Sequence, residues 1–187
     1  FEAVPVSLGN WVLSLQDGDG RFFTNPGSPD TYVHAHCYAA EGLLFLGKNT
    51  SNANFIDSAV NAAKWLADNQ RANGAVGRWY RQGKGLTDDD NMDALAQSIR
   101  LWILCEHVQV GYDFSDNIER GLDCLLEYQN LDDDLKTRGG MHYARLDGEL
   151  VPHINCCVSL FTAQALQMYL DWKLGKLSFD QEIDWLV

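Results

Sequence analysis

The chain has 187 residues, 46 % of them aliphatic, aromatic or cysteine, which suits one packed domain and excludes disorder. Its 26 acids against 14 lysines and arginines leave a formal charge of −12, and the lack of a basic stripe excludes nucleic acid and anionic membrane surfaces as partners. No apolar run reaches about eighteen residues and no signal-peptide pattern is visible, so no membrane span is expected, and a cytoplasmic location is expected ahead of export.

The elements repeat with a period near sixty residues. Phe1, Phe55 and Phe114 each stand fifteen residues before a glutamine, namely Gln16, Gln70 and Gln129. The first helix is a weak copy over 10–16, which Pro5 and Gly9 are expected to confine to its last turns. The turn Asp17-Gly18-Asp19-Gly20 follows, then Phe22-Phe23, then a second helix over 32–46. The next copy has a helix over 55–70, with Phe55, Ala59, Ala62, Ala63 and Leu66 on one face. Its loop, Asn73-Gly74-Ala75-Val76-Gly77, leads to Trp79-Tyr80 and a helix over 88–109. The third copy runs over 114–129, with Phe114, Ile118, Leu122, Leu125 and Leu126 at helical spacings. Its loop is lengthened by Asp132-Asp133-Asp134, reaches Arg138-Gly139-Gly140 and Tyr143, and enters a helix over 155–174. Strand signal is slight, around Phe22-Phe23 and Met141-His142-Tyr143. From Ser178 onward the sequence predicts the start of a fourth helix, with Ile183-Asp184-Trp185-Leu186 echoing Ala63-Lys64-Trp65-Leu66.

The second helix of each copy is apolar on most faces, as a buried helix is, and the first is amphipathic. Each unit therefore reads as one outer and one inner helix, an all-α chain of tandem helical hairpins. Met92, Trp102 and Trp172 are expected in the core. The five cysteines form no paired framework and are expected as reduced, buried thiols.

The stretch Trp65-Leu66-Ala67-Asp68-Asn69-Gln70, with Gly74 and Gly77-Arg78-Trp79 after it, resembles the glutamine–tryptophan repeat of triterpene cyclases. More broadly it resembles the (α/α) toroid shared by terpenoid cyclases, protein prenyltransferases and six-hairpin glycosidases and lyases. The resemblance implies a single toroid-type domain over 1–187, or a partial arc of a larger ring that a partner chain or missing segment completes. It says little about chemistry, because one fold hosts many reactions.

In such a ring the inner-helix starts face a central cavity. Aligned on Ala40-Glu41, Ala96-Gln97 and Ala163-Gln164, the inner helices place His34, Asp90 and Cys157 at one level. Cys37, Asp93 and Leu160 share a second level, and Glu41, Gln97 and Gln164 a third. The run Thr87-Asp88-Asp89-Asp90-Asn91-Met92-Asp93 is either an N-cap run or a catalytic set. In the second case Asp89, Asp90 and Asp93 are general acid and base, because closely set carboxylates drive each other's pKa apart. His34 is the candidate proton shuttle. Arg78, Trp79 and Tyr80, with Glu41, Gln97 and His153, are the candidate substrate-binding residues, since arginine forks pair with carboxylates and aromatic faces stack on sugars. His34 and His36 diverge by about 200° on a helix, so no metal site is expected there, and no cofactor motif occurs.

Three functions fit these residues. The first is a carbohydrate-active hydrolase, lyase or epimerase working on a uronic-acid-rich or other glycan, or on another small-molecule substrate. The second is a relative of terpenoid cyclases or prenyltransferases, for which Asp89-Asp90-Asn91-Met92-Asp93 spells the diphosphate-binding pattern. The third is a non-catalytic helical module. The polar inner-helix starts favour the first.

Overall fold

A computed structural model describes residues 3–108 and 111–178. Phe1, Gln109 and the expected fourth helix start from Phe179 onward lie outside the described residues.

Among the described residues six helices alternate between two layers. The outer helices are α1 (Ala3–Leu13), α3 (Ala53–Asp68) and α5 (Ser115–Leu126). The inner helices are α2 (Val33–Thr50), α4 (Met92–His107) and α6 (Cys156–Lys173). Helix α4 packs between α2 and α6, with α3 and α5 on its outer side. Every residue from Met92 to Cys105 is buried, so this stretch of the helix has no solvent-facing side. Trp102 is fully buried and anchors α4 to α3 through its indole N–H, which donates to the Ala63 carbonyl at 3.0 Å. The arrangement is an arc of an (α/α) toroid built from helical hairpins. Among the described residues no helix is long and apolar enough to cross a membrane.

Helix α1 is longer than the sequence predicts. Pro5 falls in its first turn, where the missing N–H has no partner to lose. Gly9 lies inside the helix because a side chain there would meet Leu46 and Phe55, at 2.5 and 2.9 Å from a Cβ, so glycine sets the close approach of α1 to its neighbours. Leu126, expected on the packed face of α5, is exposed. Two of the five cysteines, Cys156 and Cys157, are also exposed, unlike buried Cys37, Cys105 and Cys124.

Short strands join the layers: β1 (Thr31–Tyr32), β2 (Trp79–Arg81), β3 (Gly85–Leu86), β4 (Asp90–Asn91), β5 (Met141–His142), β6 (Ala144–Leu146), β7 (Glu149–Leu150) and β8 (Ile154–Asn155). They pair antiparallel as β1-β2-β3, β4-β6-β7 and β5-β8. Strands β1, β4 and β8 each run directly into an inner helix, so the pairings fix where those helices begin. Asn91 and Asn155 cap α4 and α6 by accepting from the backbone N–H groups of Ala94 and Val158.

The repeated glutamines clamp successive hairpins. The Gln16 amide donates to the carbonyl of Gly20 in its own loop (2.8 Å) and to that of Ser58 in the next outer helix (2.9 Å). Gln70 does the same to Gly74 (2.9 Å) and Asn117 (3.0 Å). Gly20 and Gly74 have φ of 97° and 87°, and a Cβ on either would collide with the backbone carbonyl of Asn61 or Arg120 on that next helix. The glycines thus serve both turn and packing.

Candidate functional site

The starts of the inner helices converge, but not in the register that the Ala-Glu/Gln anchors suggest. Ala40 lies seven residues after Val33 and Ala163 seven after Cys156, whereas Ala96 lies only four after Met92. Helix α4 starts late because Asp90 and Asn91 are held as strand β4 against Arg145 and Ala144. The residue after each helix start is therefore His34, Asp93 or Cys157. Asp93 takes the place expected of Asp90.

His34 Nδ1 stands 3.6 Å from Asp93 Oδ2, with both side chains mostly buried. Burial raises the Asp93 carboxyl above the usual carboxylate range, opposed by His34. Burial likewise lowers His34, against the pull of Asp93. Asp93 Oδ1 accepts from the Ala94 N–H at 2.7 Å, which fixes the carboxylate and leaves Oδ2 toward the histidine.

Aromatic rings surround this pair. Tyr38 meets His34 edge-on at 4.7 Å between ring centres, and Phe161 and Tyr32 lie at 5.6 and 5.9 Å. Trp79 faces Tyr32 across the β1–β2 pairing at 4.9 Å. The Arg78 guanidinium lies over both Tyr32 and Tyr143, at 5.9 and 5.8 Å, and its Nε is buried with no hydrogen-bond partner. Burial, and then the Asp93 charge, push the Tyr32 phenol up to about 12, so it stays a proton donor across the neutral range. His153 stacks on Tyr143 at 6.4 Å and borders a cleft of about 710 Å³ walled by Asn130, Lys136, His142, Cys156 and Ser159.

The other candidates lie elsewhere. Asp90 points away from the pair: its carboxylate accepts from the Tyr128 hydroxyl at 2.6 Å and from Arg71. It thereby ties the second loop to the end of α5. Asp89 lines a recess with Thr87, Asp88 and Gly148, and its Oδ1 is buried without a partner. Tyr80 lies on the opposite face of β2 from Trp79, against Trp65 (5.8 Å) and the Arg21 guanidinium (4.2 Å). Glu41 and Gln97 are 1 % and 0 % exposed, too deep to touch a ligand at the rim. The third level is also reset, because Glu41, Arg100 and Gln164 each lie eight residues after a helix start. Arg100 joins the other two, 3.4 Å from Glu41 Oε1 and 2.8 Å from Gln164 Oε1. Burial raises Glu41 to about 7 despite Arg100.

His36 is structural. Its Nδ1 accepts from the Phe22 N–H at 3.1 Å and its Nε2 donates to the Ala62 carbonyl at 3.2 Å. Tyr32, Tyr38 and Phe161 were not among the residues expected at the site, nor was Arg100 expected in the layer beneath it. The usable signal was their matched place in the copies: Tyr38 and Phe161 each stand five residues after a helix start.

No protein-family profile and no curated protein matches this chain. Solved structures do. A D-mannose isomerase is 14 % identical, with a TM-score of 0.72 over 93 % of this chain and 47 % of its own. A family 105 glycoside hydrolase from C. acetobutylicum is 12 % identical, with a TM-score of 0.71 over 96 % of this chain and 53 % of its own. An unsaturated glucuronyl hydrolase from a Bacillus species, responsible for glycosaminoglycan degradation, is 12 % identical, with a TM-score of 0.70 over 98 % and 53 %. This chain spans about half the length of these structures. At such identities the likeness establishes the fold, and these neighbours are carbohydrate-active enzymes.

Proposed function

We propose that the chain carries the catalytic face of a carbohydrate-active enzyme, a hydrolase, lyase or epimerase, acting on a glycan that contains uronic acid. The observation that carries this reading is the His34–Asp93 pair, set at the inner-helix starts inside a ring of aromatic side chains. A carboxyl raised by burial holds its proton closer to neutral pH and so suits general acid work at a glycosidic oxygen. The neighbouring imidazole, kept mostly neutral, can take up or return that proton between turnovers. Hydrolysis needs one proton delivered to the leaving oxygen while water adds to the anomeric carbon and gives its own proton to the imidazole, and a lyase or epimerase needs one removed from the carbon next to a carboxylate. The same pair serves either.

The substrate class follows from the walls. Trp79, Tyr32 and Tyr143 offer flat faces for sugar rings. Arg78 keeps an N–H without a partner between two of these rings, the chemistry that recognises a uronate carboxyl. The adjoining cleft of about 710 Å³ has room for further sugar units. The glucuronyl hydrolase among the structural neighbours supports the choice of uronic acid, and the family 105 glycoside hydrolase supports a carbohydrate over a terpenoid.

The test is a calorimetric and turnover screen of uronate oligosaccharides beside neutral ones of equal length. Uronate oligosaccharides are expected to bind at least about tenfold more tightly, a preference that Arg78→Ala abolishes. Equal affinity for both series, or a preference unmoved in Arg78→Ala, overturns the assignment.

A further inference from the structure

The five cysteines divide by access. Cys37, Cys105 and Cys124 are buried, and burial holds their thiols above the usual range, Cys37 and Cys124 up to about 12, so they are poor nucleophiles. Cys156 and Cys157 are exposed and adjacent, in the first turn of the 18-residue α6. Their thiols meet. The Cys157 thiol is held above its usual value, first by its hydrogen bond with Cys156 and then by the charge on that sulfur, so while Cys156 is ionised Cys157 keeps a proton between them. The pair also joins two surfaces. Cys157 stands on the level of His34 and Asp93, each being the residue after its helix start. Cys156 opens on the cleft of about 710 Å³ that Lys136, His142 and His153 also line. The β5–β8 pairing sets His142 opposite Ile154, two residues before Cys156. His142 Nδ1 donates to the Val151 carbonyl at 2.9 Å, which leaves Nε2 of the neutral ring as a proton acceptor. An exposed thiol pair thus shares a cleft with a base and a lysine, the surroundings that favour a thiolate.

We propose that Cys156 and Cys157 form a dithiol site for a soft electrophile that takes two sulfurs, with trivalent arsenic as the class of ligand. The geometry asks for a bridging atom. Consecutive Cα atoms lie about 3.8 Å apart, closer than the roughly 4.4–6.8 Å that a disulfide prefers, so a direct S–S bond between neighbours in a helix is strained. One atom set between the sulfurs closes the ring without drawing the two Cβ atoms together, and a soft centre matches soft thiolate ligands. With a monosubstituted arsenoxide the step balances. The Cys156 thiolate attacks arsenic and Cys157 follows, so two arsenic–sulfur bonds form. The arsenic–oxygen double bond breaks, and its oxygen leaves with the two thiol protons as one water. Arsenic stays trivalent, so no oxidant or reductant is needed. The loaded centre lies between the His34–Asp93 level and the cleft. The site stands whether or not the chain acts on glycans.

Mass spectrometry of the folded full chain treated with phenylarsine oxide tests this. One phenylarsenic group per chain is expected, released by dimercaptopropanol but retained against mercaptoethanol at equal thiol concentration. Peptide mapping of the loaded wild type, which needs no variant, should place the group on the peptide that holds Cys156 and Cys157. Cys156→Ser and Cys157→Ser should each weaken retention by about a hundredfold or more, because the second sulfur of the pair binds at a high effective concentration. No loading of the folded wild type overturns the proposal, as does a group mapped to Cys37, Cys105 or Cys124. Retention in either single variant equal to that of the wild type, or release by the monothiol as ready as by the dithiol, overturns it as well, since one sulfur would then suffice.

Discussion

Arg100 and Glu41 face each other at 3.4 Å beneath the His34–Asp93 pair, with side chains only 3 % and 2 % exposed. They come from two different inner helices, and Gln164 of the third completes the contact. Neither carboxylate oxygen of Glu41 has a hydrogen bond, so its desolvation goes largely uncompensated and the carboxyl rises to about 7. This polar layer ties the three helices together below the rim that would meet a ligand.

Glu41 binds its proton more tightly in the folded state than in the unfolded one. Its contribution to stability is therefore full below about pH 4.5 and is lost as pH rises through 7, by about 3 kcal/mol. Glu41→Gln should remove that slope. Urea unfolding of wild type and variant at pH 5 and pH 8 checks it, and a difference between the two proteins that stays constant with pH would exclude Glu41 as the source.

His36 gives the opposite slope. Burial pushes its imidazole down to about 4, so its contribution is present above pH 6.5 and lost as pH falls toward 4. Thermal melts should show His36→Leu less sensitive to acid than the wild type between pH 7 and pH 5. An unchanged acid sensitivity would remove the protonation of His36 from the account.

Asp90 and Asp93 should part company. Asp90→Asn deprives Arg71 of its buried carboxylate and alters the acceptor of Tyr128, with a cost to stability of about 2–3 kcal/mol. Asp93→Asn should leave stability nearly unchanged and lower glycan turnover by about a hundredfold or more. Chemical unfolding paired with turnover on the same preparations measures both. The reverse pattern would put the chemistry at Asp90.

Gly74→Ala places a methyl group on the Arg120 carbonyl at a left-handed φ of 87°, and should cost about 2 kcal/mol or more. Gly18→Ala meets nothing within 4 Å and should be silent to within about 0.5 kcal/mol. Denaturation midpoints of the two variants test whether the glycine-to-helix contact joins the hairpins.

The hairpin repeat was legible in the sequence because its causes are local. Phe55, Ala59, Ala62, Ala63 and Leu66 fall on one stripe by helical period alone, and burying that stripe needs no knowledge of the partner. Gln16, Gln70 and Gln129 marked the joints, since a repeated polar residue near a turn reflects a repeated backbone bond. His34 beside a helix start, and Arg78 and Trp79 on the loop between an outer and an inner helix, were likewise candidates on sequence alone.

Which acid meets His34 was not legible, because it depends on a pairing across distant sequence. Asp90 and Asn91 join Arg145 and Ala144, which delays α4 by three residues relative to its repeat anchor. Three residues turn a helix by about 300°, enough to send Asp90 to Tyr128 and Arg71 and to bring Asp93 to the histidine. The same shift moves Arg100 into the layer where Gln97 was expected. Helical period fixes which residues share a face, and only the tertiary contacts of the preceding strand fix the phase of that face against its neighbours.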